Sequence, residues 1–465
     1  MSVENTHYGA KAIAEALKGC ESIFFIGIGG ISMSSLARIS RLAGYRVGGS
    51  DRGESATLSS LREQGISVLL GHDAANLEGY DAVVYTVAIG EDNPEYQAAV
   101  ERGMPLLSRA DYLGYLMTSY TCRVGIAGMH GKSTCTAMCD EIFACGGDPT
   151  VLCGAPLPQL GGATCRVGGS REHFVFEACE YMDSFLDFYP TLAVVLNVGM
   201  DHVDYFHSME QIRASFLAYA RRTGKDGTVL YNADDEESVL SLRDFEGRHV
   251  TFGMERPADF SAREIVFGRE GTSFDLFEGE ALLGRIHLRV HGTHAVYNAL
   301  AAAAAALLCG LSPEAVIKGL GRFVGAGRRM EYKGELCGAR VYDDYGHHPD
   351  EIAATLRGAR EMGYERILCA YQPHTYSRTA GLLEEFARSF GDADRVYLAD
   401  IYAAREENIY GVTSQTLARR IGENATYCGS FEAVAARIRE EARRGDLVIV
   451  MGAGDIFQVF DLLWK

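Results

Sequence analysis

A phosphate-binding turn is the strongest local signal in this sequence. An apolar segment at residues 123–127 runs directly into Gly-Met-His-Gly-Lys-Ser-Thr at positions 128–134, and a helix-like stretch follows. Glycines let backbone N–H groups approach phosphate oxygens, and a helix N-terminus behind them favours negative charge. The common nucleotide loop has a further glycine five residues before Gly131, where this chain has Ile126. The pattern predicts a phosphate site on a strand–turn–helix unit, and the alternative is a plain structural turn.

Strand and helix patterns alternate along the rest of the chain. Short apolar runs end in polar residues, among them Ser50-Asp51, Glu177 and Asp343-Asp344. This alternation is typical of α/β proteins, whose parallel strands place ligand sites beyond their carboxyl ends. The 465 residues suffice for about three domains. We therefore predict an α/β protein with three sets of strands, the first of them Rossmann-like.

Charge and hydropathy argue against two classes of partner. The chain has 62 acidic and 44 basic residues and a net charge of −18, whereas nucleic-acid and anionic-membrane binders need basic surfaces. The longest apolar run, residues 299–309, is too short for a membrane span of about 20 residues and predicts a buried helix. Twelve cysteines form no C-x-x-C pair, and no secretory signal is visible. We expect reduced thiols and a cytoplasmic location.

A second glycine turn, Gly-Ile-Gly-Gly at residues 27–30, follows the first apolar run. The dinucleotide fingerprint G-x-G-x-x-G needs glycine where Ser32 stands, but Asp51 lies near the expected place for a ribose-binding acid. The residues alone leave a nucleotide site and a structural turn equally open. A dehydrogenase is therefore one alternative at this point.

Carboxylates and histidines follow several of the predicted strands. Glu177 ends a buried strand, and with Ser133 it could complete a Mg²⁺ shell, whereas His202 alone is better interpreted as a loop histidine. The loops at residues 343–349 and 372–378 are dense in titratable groups. Such loops can orient a carboxylate through arginine and accept protons through histidine or aspartate. A pair of hydrogen-bonded loops without chemistry is the alternative.

Together these segments resemble the Mur ligase family over nearly the whole chain. The resemblance rests on the residues at 27–34, 128–134, 177–180, 201–204, 294–298, 327–329, 343–349 and 372–378. Asp-Asp-Tyr-Gly-His-His-Pro at 343–349, with the Gln-Pro-His loop at 372–378, is similar to the member that adds alanine. The family implies a UDP-sugar-binding domain at 1–109, a central P-loop-type ATP-binding domain with a mostly parallel sheet at 110–324, and a Rossmann-like amino-acid-binding domain at 325–465.

The resemblance also implies ATP and Mg²⁺ as cofactors and assigns roles to particular residues. Nucleotide binding falls to Gly128, Met129, His130, Gly131, Lys132, Ser133, Thr134, Asn298 and Arg329. The implied metal ligands are Ser133, Glu177 and His202. The implied catalytic residues are Lys132, Asp344, His347 and Arg378. Substrate binding falls to Gly29, Gly30, Ser50, Asp51, Tyr345, His347, His374 and Arg378.

Four positions depart from the pattern of proteobacterial family members. Met129, Cys179, Ala295 and Thr375 stand in place of threonine, aspartate, asparagine and arginine, respectively. The Cys179 and Thr375 forms resemble Gram-positive members. Arg378 is then the remaining arginine of its loop.

The implied reaction joins L-alanine to the carboxylate of UDP-N-acetylmuramate through an acyl phosphate, with release of ADP and phosphate. Two anions must meet in an acidic protein, so we expect Mg²⁺ and Lys132 to be indispensable. Either His347 or Asp344 is expected to take the proton of the attacking amine. We expect the chain to act as a monomer or a homodimer. Alternatives are a nucleotide-dependent oxidoreductase, a non-catalytic ATP-dependent interaction protein, a muramoyl-peptide ligase, and a ligase that prefers glycine or serine.

Overall fold

The apolar runs of the sequence form mostly parallel strands in a computed structural model that describes residues 3–201, 205–268, 271–404 and 406–464. The chain forms two compact units. The first contains Met1–Ser261 and Leu300–Gly319, and the second contains Ala262–Ala299 and Leu320–Lys465.

The first unit begins with a five-stranded parallel sheet of order β3-β2-β1-β4-β5. Its strands are β1 (Ser22–Ile26), β2 (Arg46–Asp51), β3 (Ser67–Leu70), β4 (Ala82–Tyr85) and β5 (Leu106–Ser108). Its helices are α1 (Ala10–Ala16), α2 (Ile31–Leu42), α3 (Ala56–Glu63), α4 (Pro94–Glu101) and α5 (Arg109–Met117), with a 3₁₀ helix at Ala74–Leu77. Every residue of β1 is buried, as expected for a strand covered on both faces.

A second sheet in this unit has the order β13-β12-β11-β10-β6-β9-β7-β8 and is parallel except for the pair β7–β8. Its strands are β6 (Cys122–Ala127), β7 (Thr150–Leu152), β8 (Cys165–Arg166), β9 (His173–Glu177), β10 (Leu192–Val195), β11 (Thr228–Asn232), β12 (Arg248–Gly253) and the start of β13 (Phe260–Gly268). The helices are α6 (Lys132–Gly146), α7 (Met209–Arg221) and α8 (Glu236–Leu242), with 3₁₀ helices at Pro158–Leu160 and Tyr181–Asp187.

The second unit contains an antiparallel hairpin and a six-stranded sheet of order β16-β17-β21-β18-β19-β20. The hairpin is β14 (Gly271–Glu278) with β15 (Ala281–Leu288), and the sheet comprises β16 (Glu331–Leu336), β17 (Ala339–Asp344), β18 (Arg366–Tyr371), β19 (Arg395–Ala399), β20 (Ala425–Gly429) and β21 (Asp446–Met451). Only β16–β17 is antiparallel among the described pairs of this sheet. Its helices are α11 (Pro349–Glu361), α12 (Tyr376–Gly381), α13 (Leu383–Ser389), α14 (Ser414–Ile421), α15 (Phe431–Glu441) and α16 (Phe460–Leu463), with a 3₁₀ helix at Ile456–Val459.

Two further helices, α9 (Thr293–Leu308) and α10 (Pro313–Arg322), complete the chain order. The alanine-rich part of α9 has no exposed surface from Ala299 to Ala306, which confirms the predicted buried helix. Within the described residues, no helix combines the length and the apolar character needed to cross a bilayer.

One expectation from the sequence is wrong for two cysteines. Cys122 and Cys309 form a disulfide in this structure, with Cα atoms 6.4 Å apart, while the other ten cysteines are not part of a disulfide. The pair is separated by 187 residues, so no local spacing pattern could indicate it. Folding brings the first residue of β6 beside the residue that follows α9.

His294, in the first turn of α9, makes the stability of the second unit depend on pH. Its ring lies beside Gly292 and Gly358, and burial, with a smaller effect of Arg329, lowers its pKa to about 4. Between about pH 6.5 and pH 4 the unfolded chain therefore binds a proton that the folded chain does not. The contribution to stability is complete above that pH and falls as the pH decreases towards 4.

Replacing His294 with asparagine should remove this part of the pH dependence. Between pH 7.5 and pH 5 the native protein should lose about 2 kcal/mol of unfolding free energy through this group. Urea unfolding of the native protein and of His294→Asn at both pH values measures the difference. Equal losses in the two proteins would show that His294 is protonated as easily in the folded state as in the unfolded state.

Candidate active site

The phosphate turn connects β6 to α6, as the sequence predicts. Gly128 and Gly131 have φ angles of 141° and 87°, which residues with side chains rarely adopt. At Gly128 an added Cβ would also lie 3.0 Å from the Cβ of Leu196. Asn197 fixes the turn, because its Oδ1 accepts from the His130 amide and its Nδ2 donates to the His130 carbonyl, each at 2.9 Å. The turn is thus held in one shape by a side chain that the sequence analysis did not identify.

Lys132 and Ser133 each pair with a different carboxylate. The Nζ of Lys132 lies 3.0 and 3.1 Å from the two carboxylate oxygens of Glu180, a side chain with no exposed surface. The Oγ of Ser133 donates to Oε2 of Glu177 at 3.1 Å. Burial acts to lower the pKa of Lys132, but nearby carboxylates, Glu180 foremost, raise the pKa above its ordinary value. Lys132 is therefore an ammonium ion at neutral pH, as a phosphate-binding lysine must be.

The donors at Ser133 and Glu177 fit a magnesium ion. Hydroxyl and carboxylate oxygens are the ligands that Mg²⁺ prefers, and such an ion supplies positive charge against the phosphates of a nucleotide. Glu177 is fixed at the end of β9, where its other oxygen accepts from the backbone amide of Gly154. His202, the third predicted ligand, lies outside the described residues.

Replacing Glu177 with glutamine should raise the Mg²⁺ requirement of the enzyme. The amide keeps the shape of the side chain but removes its charge, so half-maximal activity should need about tenfold more Mg²⁺, or a larger excess. A magnesium titration of phosphate release measures this. Glu172→Gln is the matched control, because Glu172 is exposed and precedes the same strand. Titration curves that coincide for Glu177→Gln and the native enzyme would remove Glu177 from the metal site.

The N-terminal glycine turn is closed by the end of β2. The amide of Gly27 donates to the carbonyl of Ser50 at 2.9 Å, and the amide of Gly29 donates to Oδ2 of Asp51 at 2.8 Å. Gly30 is the N-cap residue of α2. The four residues predicted to bind substrate here therefore lie together, and Asp51 also stabilises the turn itself.

A buried carboxylate behind this turn was not identified from the sequence. Glu95, with no exposed surface, accepts from Ser50 Oγ at 2.6 Å and from Asn76 Nδ2 at 2.7 Å, and it lies 2.8 Å from His72 Nδ1. In the sequence Glu95 follows Asn93-Pro94 and has the position of an ordinary acidic residue in the first turn of a helix, here α4. The network fixes the Ser50 side chain against its neighbours.

Asp344 shapes the loop at the carboxyl end of β17. Its carboxylate accepts from the amide of Met330 at 2.9 Å and from that of Gly346 at 2.8 Å. Burial raises its pKa to about 6, against the effects of Arg329 and these amides. Both oxygens of this predicted catalytic residue are thus engaged by the backbone.

Aromatic and imidazole rings follow one another beside this loop. Ring centroids are 5.5 Å apart for Tyr345 and His347, 5.9 Å for His347 and His374, and 5.4 Å for His374 and Tyr402. Burial lowers the pKa of His347 to about 4 and holds that of His374 below its usual value, with a smaller effect of Arg378 on both. Both imidazoles are therefore neutral at pH 7. The residues of this unit that are predicted to bind substrate lie together; they are Tyr345, His347, His374 and Arg378.

Arg328 and Arg329, which precede β16, have different surroundings. Arg328 is 3.2 Å from Asp343 and donates to the carbonyl of Gly452 at 2.6 Å, which ties the segment before β16 to the ends of β17 and β21. Arg329 lies 3.6 Å from Glu351 and has its guanidinium carbon 5.3 Å from the centre of the Tyr345 ring. Asn298 lies buried in α9. The ATP contacts of Arg329 and Asn298 stay predictions.

Three family models match successive parts of the chain. They are the Mur ligase family, catalytic domain at residues 22–121, the Mur ligase middle domain at 126–306, and the Mur ligase, glutamate ligase domain at 328–454. Among curated proteins, the UDP-N-acetylmuramate–L-alanine ligase of Alkaliphilus metalliredigens is 43% identical over 95% of this chain and 96% of its own length. That of Clostridium novyi is 42% identical over 95% and 97%.

Solved structures give the same result for the fold. A UDP-N-acetylmuramate–alanine ligase from Thermotoga maritima superimposes with a TM-score of 0.77 at 26% identity, over 95% of this chain and 98% of that one. The fold and the phosphate turn thus define a three-domain α/β ATP-dependent ligase. The chain belongs to the Mur ligase family. This membership removes the oxidoreductase and non-catalytic alternatives.

Proposed function

We propose that the enzyme joins L-alanine to the carboxylate of UDP-N-acetylmuramate, with conversion of ATP to ADP and phosphate, in the synthesis of peptidoglycan precursors. The observation that carries this proposal is the identity of 43% over 95% of the chain to a curated ligase with that name. The phosphate turn and the His–Arg loops supply the groups that the reaction needs. Because ATP is supplied in the cytoplasm, we place the reaction there.

The first half-reaction depends on the phosphate turn. The muramoyl carboxylate must displace ADP from the terminal phosphoryl group of ATP to give an acyl phosphate, so two anions must approach each other. The ammonium of Lys132 would donate to phosphate oxygens, and Ser133 and Glu177 would hold Mg²⁺, which supplies positive charge against those oxygens. These residues act chiefly through position and charge, which is the main requirement of phosphoryl transfer.

The second half-reaction depends on the loops of the second unit. Arg378 binds the carboxylate of the amino acid. The amine attacks the carbonyl carbon of the acyl phosphate and loses a proton, and the bond from that carbon to the phosphate oxygen breaks to release phosphate. Between the two predicted acceptors, we infer that His347 takes this proton. Its Nδ1 lies 3.2 Å from the carbonyl oxygen of Tyr345 and can donate to it, which leaves the lone pair on Nε2. Asp344, with both oxygens engaged by backbone amides, positions the loop instead.

Phosphate release with a panel of amino acids tests the proposed function. With ATP and UDP-N-acetylmuramate, L-alanine should give the fastest release. Glycine and L-serine should be poor but measurable substrates, slower by about 10–200-fold, since a single methyl group contributes only about 1–3 kcal/mol of discrimination. Release that requires a peptide, or that is fastest with glycine or serine, would identify a different ligase.

A further inference from the structure

The buried carboxylate of Glu180 has no assigned part in the reaction, yet it contacts the phosphate-binding lysine directly. It lies three residues after Glu177, between β9 and the 3₁₀ helix at Tyr181–Asp187. Its two oxygens lie 3.1 and 3.0 Å from the Nζ of Lys132. The consecutive residues Lys132 and Ser133 are therefore held by two acids of one short segment, one acid for each side chain.

From this geometry we propose that Glu180 is a positioning residue, which holds the ammonium of Lys132 in place for the terminal phosphates of ATP. The proposal rests on the proposed function only in requiring ATP as a substrate. Glu180 acts through Lys132, and no contact of its own with nucleotide or metal is invoked.

The hydrogen bonds of Lys132 show which contacts it can exchange. Besides Glu180, its Nζ donates to the carbonyl oxygens of Gly128 and Met129, the latter at 3.2 Å. An ammonium group has three N–H donors, so contact with a phosphate must replace a bond that exists here. The two carbonyls belong to buried residues of the turn and are neutral acceptors, whereas Glu180 is a charged carboxylate with no exposed surface.

Because all three partners are buried, their charge decides which of these bonds persists. Removing the partner of a buried ion pair leaves an uncompensated charge and is strongly unfavourable, whereas a neutral carbonyl loses much less. Lys132 should therefore keep Glu180 and give up a carbonyl when phosphate binds. The ammonium end of the Lys132 side chain is then already fixed before phosphate binds, so the side chain loses less rotamer freedom on binding.

A double-mutant cycle on nucleotide affinity tests the proposal without depending on turnover. The four proteins are the native enzyme, Glu180→Gln, Lys132→Met, and the double variant, and the probe is a non-hydrolysable ATP analogue with Mg²⁺ in a calorimetric titration. Glu180→Gln keeps the shape of the side chain and should weaken the analogue at least tenfold. In the Lys132→Met background the same change should alter affinity less than twofold, since nothing is left to position.

Two variants separate positioning from a general loss of structure. Glu180→Asp keeps the charge and should recover part of the affinity lost in Glu180→Gln. Asp140→Asn breaks another ion pair of α6 with a fully buried carboxylate, that of Asp140 with the partly exposed Arg166, and should lower the thermal midpoint while leaving analogue affinity within twofold of native. Because the probe is the nucleotide alone, a failure of the alanine assay would not affect this result.

Three results would overturn the proposal. Affinity within twofold of native in Glu180→Gln would show that the pair has no effect on binding. An equal loss in the Lys132→Met background would show that Glu180 acts independently of the lysine. Tighter binding in Glu180→Gln would show that the carboxylate competes with phosphate for Lys132 instead of positioning it.

Discussion

Replacing Lys132 with alanine should lower turnover by about 10²–10³ or more, because it removes a cation that stabilises the charge of the transferring phosphoryl group. The assay is phosphate release at saturating ATP, UDP-N-acetylmuramate and L-alanine. Turnover within tenfold of native, in a protein with an unchanged circular dichroism spectrum, would rule out this role.

The structure adds a control that the Lys132→Ala experiment needs. The variant leaves the buried carboxylate of Glu180 without this cation, and breaking a buried ion pair in this way typically costs about 3–5 kcal/mol of stability. Thermal unfolding should therefore accompany the kinetics. The double variant Lys132→Ala/Glu180→Gln removes both charges and should regain stability while staying inactive. Recovery of turnover in the double variant would mean that misfolding, and not the missing ammonium, caused the defect.

Replacing Arg378 with lysine should raise the KM for L-alanine by about tenfold to a hundredfold and leave the KM for ATP nearly unchanged. A guanidinium binds a carboxylate through two parallel hydrogen bonds, and an ammonium keeps the charge but loses that geometry. Position 375 is threonine and Arg378 is the one arginine of the loop at residues 372–378, so we expect no compensation within that loop. Initial rates over series of alanine and ATP concentrations measure both constants.

Arg388→Lys is the matched control for the Arg378 experiment. Arg388 is exposed in the last turn of α13, in the same unit of the protein, and its replacement should leave both constants unchanged. A change in the KM for ATP alone in Arg378→Lys would place this arginine at the nucleotide and would require a different site for alanine.

Local patterns in the sequence predicted much of the fold. Continuous apolar runs identified β6, β9 and β10, and a glycine-rich turn located the start of α6, because these features depend on neighbours along the chain. The hairpin of β14 and β15 was not predicted. Its half-buried strands lack the continuous apolar character from which the parallel strands could be predicted.

Contacts between distant residues account for what was missed at the site. Glu180 stood within a recognised motif, but only the folded chain shows that its carboxylate meets Lys132, 48 residues earlier. Asn197 and Glu95 likewise take their roles from partners 67 and 45 residues away. The sequence motifs led to predictions of the loops that carry chemistry, but they did not indicate which side chains hold those loops in place.

The route of the chain through its two compact units limits how this enzyme can be dissected. The chain passes from one unit to the other three times, after residues 261, 299 and 319. A fragment that stops at residue 261 lacks Leu300–Gly319, and with it part of the buried alanine helix that belongs to the first unit. Neither unit can therefore be expressed as one uninterrupted stretch of sequence, or exchanged between relatives as a single contiguous cassette. Recombination within this gene should yield folded hybrids only where both pieces of a unit come from the same parent.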